Sequence, residues 1–244
     1  MVEEMSYELK SAGALVSELC SYGESRLRVR GPARELRDPY ISFMGGTEVF
    51  GRFVERPFPQ GAENQVGIAC INLGGVNAGV DTFLHDGPLL DIAARGDLTI
   101  LQVMGAQNLT NSFYKVHPRR NDRFLRPYDA LSHLFPEIDF TDFHFNKHLL
   151  KSLRAVSPER FQRVCTELQA TWSRRMTRLI AALDGRVVLL WLRYDMGTPE
   201  ALGPSPTLVT EDMIEGLRPT VADVIELDVA TAEQAQDVPG MIFG

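Results

Sequence analysis

At 244 residues the chain is long enough for one large domain or two small ones. Its 44% hydrophobic and 23% charged residues exclude a disordered chain, a fibre and a disulfide scaffold, and a formal net charge of -7 argues against a general nucleic-acid binder. No apolar run reaches the ~18 residues of a membrane span. The acidic start MVEEMSYELKSAG lacks the basic-then-apolar order of a secretion signal, so a cytoplasmic protein is expected. Cys20, Cys70 and Cys165 are odd in number and far apart, which suits free thiols in a reducing compartment.

Without repeats, low-complexity tracts or long linkers, residues 1–244 read as one domain. In chain order, a helical arm is expected over Val2–Ser21, with Leu9, Leu15, Val16 and Leu19 facing inward. Short, nearly continuous apolar runs predict strands at Tyr40–Met44, Val66–Leu73, Leu98–Met104, Val187–Leu192 and Val224–Val229. Such runs suit strands buried on both faces of a mostly parallel five-stranded sheet. Weaker helical patterns lie at Ala78–Ala94, Tyr128–Leu134, Asn146–Leu153 and Glu211–Leu217.

The strongest helical pattern runs from Ser157 to Asp184. Ser157 suits the cap, Pro158 the first turn and Gly185 the exit. Phe161, Val164, Cys165, Leu168, Trp172, Met176, Leu179, Ile180 and Leu183 keep one face apolar, so this helix should pack along the sheet. Arg163, Arg174, Arg175 and Arg178 fall mostly off that face and are expected in solvent. Strands alternating with helices imply a three-layer α/β domain. About fifty residues, 105–156, separate the third strand from the long helix and contain no strand pattern, which marks an insertion loop of functional interest.

In an open parallel sheet, ligands bind beyond the carboxyl ends of the strands where strand order reverses. Three such ends are rich in Gly, Asn or Thr: Gly45-Gly46-Thr47-Glu48, Asn72-Leu73-Gly74-Gly75-Val76-Asn77-Ala78-Gly79, and Gly105-Ala106-Gln107-Asn108. This succession of blocks resembles the SGNH (GDSL-type) hydrolase superfamily, and implies a flavodoxin-like three-layer fold. The stretches FMGGTEVFGRF, VMGAQN and HPRRNDRF are also similar to an uncharacterised alphaproteobacterial family. By the SGNH resemblance, Thr47 stands in place of the serine nucleophile and Gly46 in place of the aspartate beside it. Gly75 or Gly74 would supply one oxyanion donor and Asn108 another, through a G-x-x-N spacing where the family has G-x-N. The late acid–base block has no counterpart: His85, His117, His133, His144 and His148 all precede residue 149. Either the chain is cut short or the family's triad is gone.

A replacement triad of Thr47, His117 and Asp195 is open in space, because triads are defined by geometry and not chain order. The plainer readings are a turn threonine capping the next helix and a loop histidine bonded to backbone. From Lys115 to Arg126 the loop carries Lys115, Arg119, Arg120, Arg123 and Arg126 against the single acid Asp122. Guanidinium forks suit carboxylate, sulfate or phosphate, and Asn108, Asn111, Tyr114 and Asn121 suit sugar recognition. An internal ion-pair net around Asp122 is the alternative. The pair His144 and His148, with Asp142 nearby, has a spacing that can hold a metal but more often packs, and neither a metal nor a cofactor is expected.

Two expectations follow. The first is a non-catalytic SGNH-like domain that binds a glycan or an anionic acylated saccharide. A cell-surface polysaccharide recognised by an adhesin of a phage-like particle, released on lysis, is one such case. The second is an O-acyl esterase using Thr47, with Gly75 and Asn108 as oxyanion donors. The missing serine, aspartate and late histidine favour binding. The apolar C-terminal Met-Ile-Phe suggests docking on the protein's own core, on a second copy in a homo-oligomer, or on another subunit of a larger assembly.

Overall fold

The computed structural model describes residues 18–37, 39–194 and 202–229. Its first elements are two short antiparallel strands, β1 (Leu19–Cys20) and β2 (Val29–Arg30). Leu19 and Cys20 are therefore extended where the arm was expected to be helical; residues 1–17 of that expectation lie outside the described residues. The ladder explains the change, since Leu19 pairs with Arg30 and Cys20 with Val29, which is fully buried.

The continuous apolar runs then build one five-stranded sheet from β3 (Tyr40–Met44), β4 (Ala69–Asn72), β5 (Leu98–Gln102), β8 (Val187–Arg193) and β9 (Asp223–Asp228). All pairings are parallel, in the order β4-β3-β5-β8-β9. This is the flavodoxin-like order, with its reversal between β3 and β5. Side chains alternate between two cores, as parallel strands covered on both faces require. Tyr40, Met44, Leu101, Leu189 and Trp191 face one core; Phe43, Ile100, Val188, Leu190 and Leu192 face the other. The strand expected from Val66 begins only at Ala69, because Val66 ends a helix and Gly67 turns the chain at φ 71°.

Among the described residues the α-helices are α1 (Thr47–Phe50), α2 (Phe58–Val66), α3 (Val80–Leu84), α4 (Gly87–Arg95), α5 (Asp129–Leu134), α6 (Asn146–Val156), α7 (Pro158–Leu183) and α8 (Glu211–Leu217). The single helix expected over Ala78–Ala94 is two, broken at His85 and restarted by Asp86, whose carboxylate accepts the Leu89 N–H. In α7, Ser157 caps as expected by accepting the Arg160 N–H. The exit falls on Asp184 at φ 42° and not on Gly185, a conformation that aspartate tolerates better than most residues. Trp172, fully buried in α7, donates its Nε1–H to the Met104 carbonyl at 2.6 Å and so ties the helix to the end of β5.

Residues 105–156, expected without strands, hold an antiparallel hairpin of β6 (Tyr114–Val116) and β7 (Phe124–Pro127). Tyr114 and Val116 point inward while Lys115 points out. With Phe124 they join Leu131, Phe135, Leu149, Leu150 and Leu153 in a further core against Phe161, Val164 and Leu168 of α7. The insertion is thus a packed extension of the domain. No helix among the described residues is long and apolar enough to cross a membrane.

Candidate functional site

The carboxyl ends of β3, β4 and β5 meet where the strand order reverses. Gln102, the last residue of β5 and buried, spans the reversal: its Oε1 accepts the Gly46 N–H at 2.8 Å and its Nε2 donates to Glu48 at 2.8 Å. That clamp requires glycine at position 45, where a Cβ would lie 2.4 Å from Gln102 Oε1. At Gly74 a Cβ would come within 2.4 Å of the Phe50 nitrogen, so α1 packs directly on the turn after β4. Asn72 locks this approach by donating to the Val49 carbonyl at 2.7 Å and accepting the Gly74 N–H at 2.9 Å.

Thr47 is half-buried in the first turn of α1, where the resemblance placed a nucleophile. Its hydroxyl accepts the Asn77 N–H at 3.1 Å and donates to Asn77 Oδ1 at 3.3 Å. It therefore neither caps α1, as the plainer reading had it, nor faces a base. Asn77, at φ 56°, passes the chain of bonds on through Nδ2 to Asp122 Oδ2 at 3.1 Å. Burial raises the Asp122 carboxyl above its ordinary range, opposed by the nearby charges of Arg120 and Arg123.

His117 Nδ1 accepts two backbone N–H groups, from Arg119 at 3.2 Å and Arg120 at 3.1 Å. That nitrogen is therefore spent on the turn of the loop, and the Thr47 hydroxyl is bonded to Asn77 instead. Asp195, the third member of the suggested triad, lies outside the described residues. The main-chain donors expected for an oxyanion are also engaged: Gly46 N–H with Gln102, Gly75 N–H with the Gly45 carbonyl at 3.0 Å, and Gly74 N–H with Asn72.

Asparagines tie the insertion to this edge. Asn121, fully buried, accepts at Oδ1 from Gly79 N–H, Thr82 N–H and the Thr82 hydroxyl, and donates to the His117 carbonyl. Asn146, also fully buried, donates to the Asn121 carbonyl at 2.6 Å and to Asn108 Oδ1 at 3.1 Å. Asn108 is half-buried beside them. The ligand-contact role expected for Asn111, Tyr114 and Asn121 gives way to a structural one. Asn111 Oδ1 accepts the Phe113 and Tyr114 N–H groups, and the Tyr114 hydroxyl is spent on the Gln107 carbonyl at 2.7 Å.

Among the described residues no ion pair joins the arginines of this loop to Asp122, although the charges of Arg120 and Arg123 act on its carboxyl. Arg119 and Arg120 are exposed, Arg123 stacks on Phe145 at 4.2 Å and Arg126 on Tyr128 at 5.0 Å. His148 packs edge-on against Phe143 at 4.8 Å. Two features escaped the sequence reading: the Gln102 clamp, since a glutamine ending a strand carries no pattern, and the gathering of α7 arginines beside Thr110 and Ser112. The arrangement sets the exposed guanidiniums of Arg119 and Arg120 near the amide-rich edge, a setting whose chemistry suits a polar anionic molecule.

No curated protein matches the chain at a significant level. A family profile covers residues 5–244, and the chain belongs to that family, DUF6473, a domain of unknown function.

Proposed function

We propose that the domain binds an anionic saccharide across the carboxyl edge of its sheet and does not turn it over. The observation that carries this reading is the commitment of the would-be catalytic groups to the fold. Thr47 is paired with Asn77, His117 Nδ1 with backbone, and the Gly46 and Gly75 N–H groups with acceptors of the protein itself. An acyl transfer needs an activated nucleophile and free oxyanion donors at the same place. Binding needs neither. The half-buried Asn108 amide suits a sugar hydroxyl, while the exposed Arg119 and Arg120 suit carboxylate, sulfate or phosphate. An acidic, O-acylated polysaccharide of a cell surface combines both chemistries.

The test is calorimetric titration with an O-acetylated, uronate-bearing polysaccharide, comparing wild type with Arg119→Ala/Arg120→Ala. Binding that weakens at least about tenfold in the double variant supports the reading, since each charge-assisted bond contributes of the order of 1.5–3 kcal/mol. A second reading, a threonine esterase, draws on the position of Thr47 at the carboxyl end of β3. Turnover of p-nitrophenyl acetate or the acetylated polysaccharide that disappears in Thr47→Ala would establish it and overturn the binding-only reading.

A further inference from the structure

The long helix α7 presents a second feature, away from the clamp of β3 and β5. An open cavity of about 360 Å³ lies between α7 and the segment after β5, lined among others by Thr110, Ser112, Glu167, Arg174, Arg175 and Arg178. The spacings of three and four residues bring the three guanidiniums onto one turn of one helix face. Like charges at that spacing destabilise a helix unless something faces them.

Two carboxylates face them, and both are already engaged. Asp81, with 5% of its side chain exposed, accepts the Thr110 N–H at 3.0 Å and lies 3.4 Å from Arg175. Glu167 accepts the Ser112 N–H at 3.2 Å and the Thr171 hydroxyl at 3.0 Å, and stands 3.8 Å from Arg174. Arg178 is exposed and has no carboxylate within ion-pair distance among the described residues. The cavity therefore keeps an excess positive charge within a protein of net charge -7.

We infer that this cavity is an oxyanion site for a carboxylate or phosphate monoester carried on a small polar body such as one sugar. Guanidinium forks match both anions in two-point geometry. The volume lies at the lower end of the range for small-molecule sites. Thr110 and Ser112 line it as well; the Thr110 hydroxyl accepts the Val116 N–H at 3.2 Å and keeps its own proton to donate.

The experiment titrates glucose 1-phosphate, glucuronate and glucose into the protein by NMR at low ionic strength. Wild type should bind one or both charged sugars, more weakly as salt is added, and glucose at least tenfold more weakly. Binding of one charged sugar alone supports the inference and identifies the anion. Arg178→Gln, on the exposed face, should weaken binding about tenfold with an unchanged melting temperature, and Arg174→Gln provides a second, independent variant. Shift changes read at the amides of Thr110, Ser112 and the Arg174–Arg178 turn of α7 separate the cavity from the polysaccharide edge. Equal binding of glucose and the charged sugars, wild-type affinity in both α7 variants, or shifts confined to residues outside this cavity would each overturn the inference.

Discussion

Replacing Asn121 with alanine should cost far more than a surface asparagine would. Its side chain is fully buried and makes bonds of 3.1 Å from Gly79 N–H, 3.2 Å from Thr82 N–H, 2.9 Å from the Thr82 hydroxyl and 2.8 Å to the His117 carbonyl. Thr82 N–H keeps a second acceptor, the Gly79 carbonyl at 3.1 Å. Gly79 N–H, the Thr82 hydroxyl and the His117 carbonyl lose the partner that holds them. A buried polar group stripped of its partner costs about 1–3 kcal/mol, and partial hydration of the new gap lowers the sum. We therefore expect a loss of about 3–5 kcal/mol, or a melting temperature lower by roughly 10 °C for a domain of this size. Urea unfolding followed by circular dichroism measures it. A loss below about 1 kcal/mol with an unchanged urea slope would refute the claim that this side chain joins the insertion to α3.

Asn108→Ala should abolish saccharide binding yet cost less than about 1 kcal/mol in urea unfolding, because Asn146 Nδ2 keeps the Asn121 and Gln107 carbonyls as acceptors; unchanged binding would place the ligand elsewhere. Trp172→Phe should cost about 2 kcal/mol, since it strands the buried Met104 carbonyl at the end of β5, and unfolding midpoints report it. The Arg34 guanidinium, at 2.9 Å, and the Cys70 N–H hold the Glu63 carboxyl below its ordinary range. A carboxylate depressed on folding adds stability above its unfolded pKa that is lost as pH falls through the folded value, so stability should decline below about pH 4.5. Glu63→Gln should lose about 1 kcal/mol at neutral pH and flatten that acid limb in a series of pH-dependent melts.

How much was legible in the sequence follows from what each element depends on. The strands at Tyr40–Met44 and Val187–Arg193 are buried on both faces, so their apolar runs announce them without knowledge of their neighbours. The α7 helix carries its own period over 26 residues. The hairpin β6–β7 did not announce itself, because each strand has only one buried face and the seven residues between them are polar. The parallel order itself was legible and brings the carboxyl ends of β3, β4 and β5 together, although β4 ends at Asn72 and β5 at Gln102, short of the expected Leu73 and Met104. The division of labour there was not legible: Asn111 and Asn121 have the same chemistry as Asn108, and only packing shows that the first two are spent on turns and a helix start. Of the α7 arginines read as solvated, Arg163, Arg174 and Arg178 are exposed and Arg175 half-buried; what was not legible is the wall beside them, Thr110–Ser112, which comes from a segment some sixty residues away in sequence.

Asn146 belongs to α6, inside the insertion, yet its amide reaches the Asn121 and Asn108 positions at the sheet edge. The insertion and the edge are in consequence joined through shared side-chain bonds, and we expect them to unfold together. In native-state hydrogen exchange, the amides of Gly79 and Thr82 should open together with those of α6, at a common free energy above that of the surface loops. Trimming residues 105–156 to simplify the domain would strip Gly79 and Thr82 of the Asn121 acceptor and so loosen the start of α3, while the Gln102 and Asn72 bonds at the ends of β3, β4 and β5 would stay.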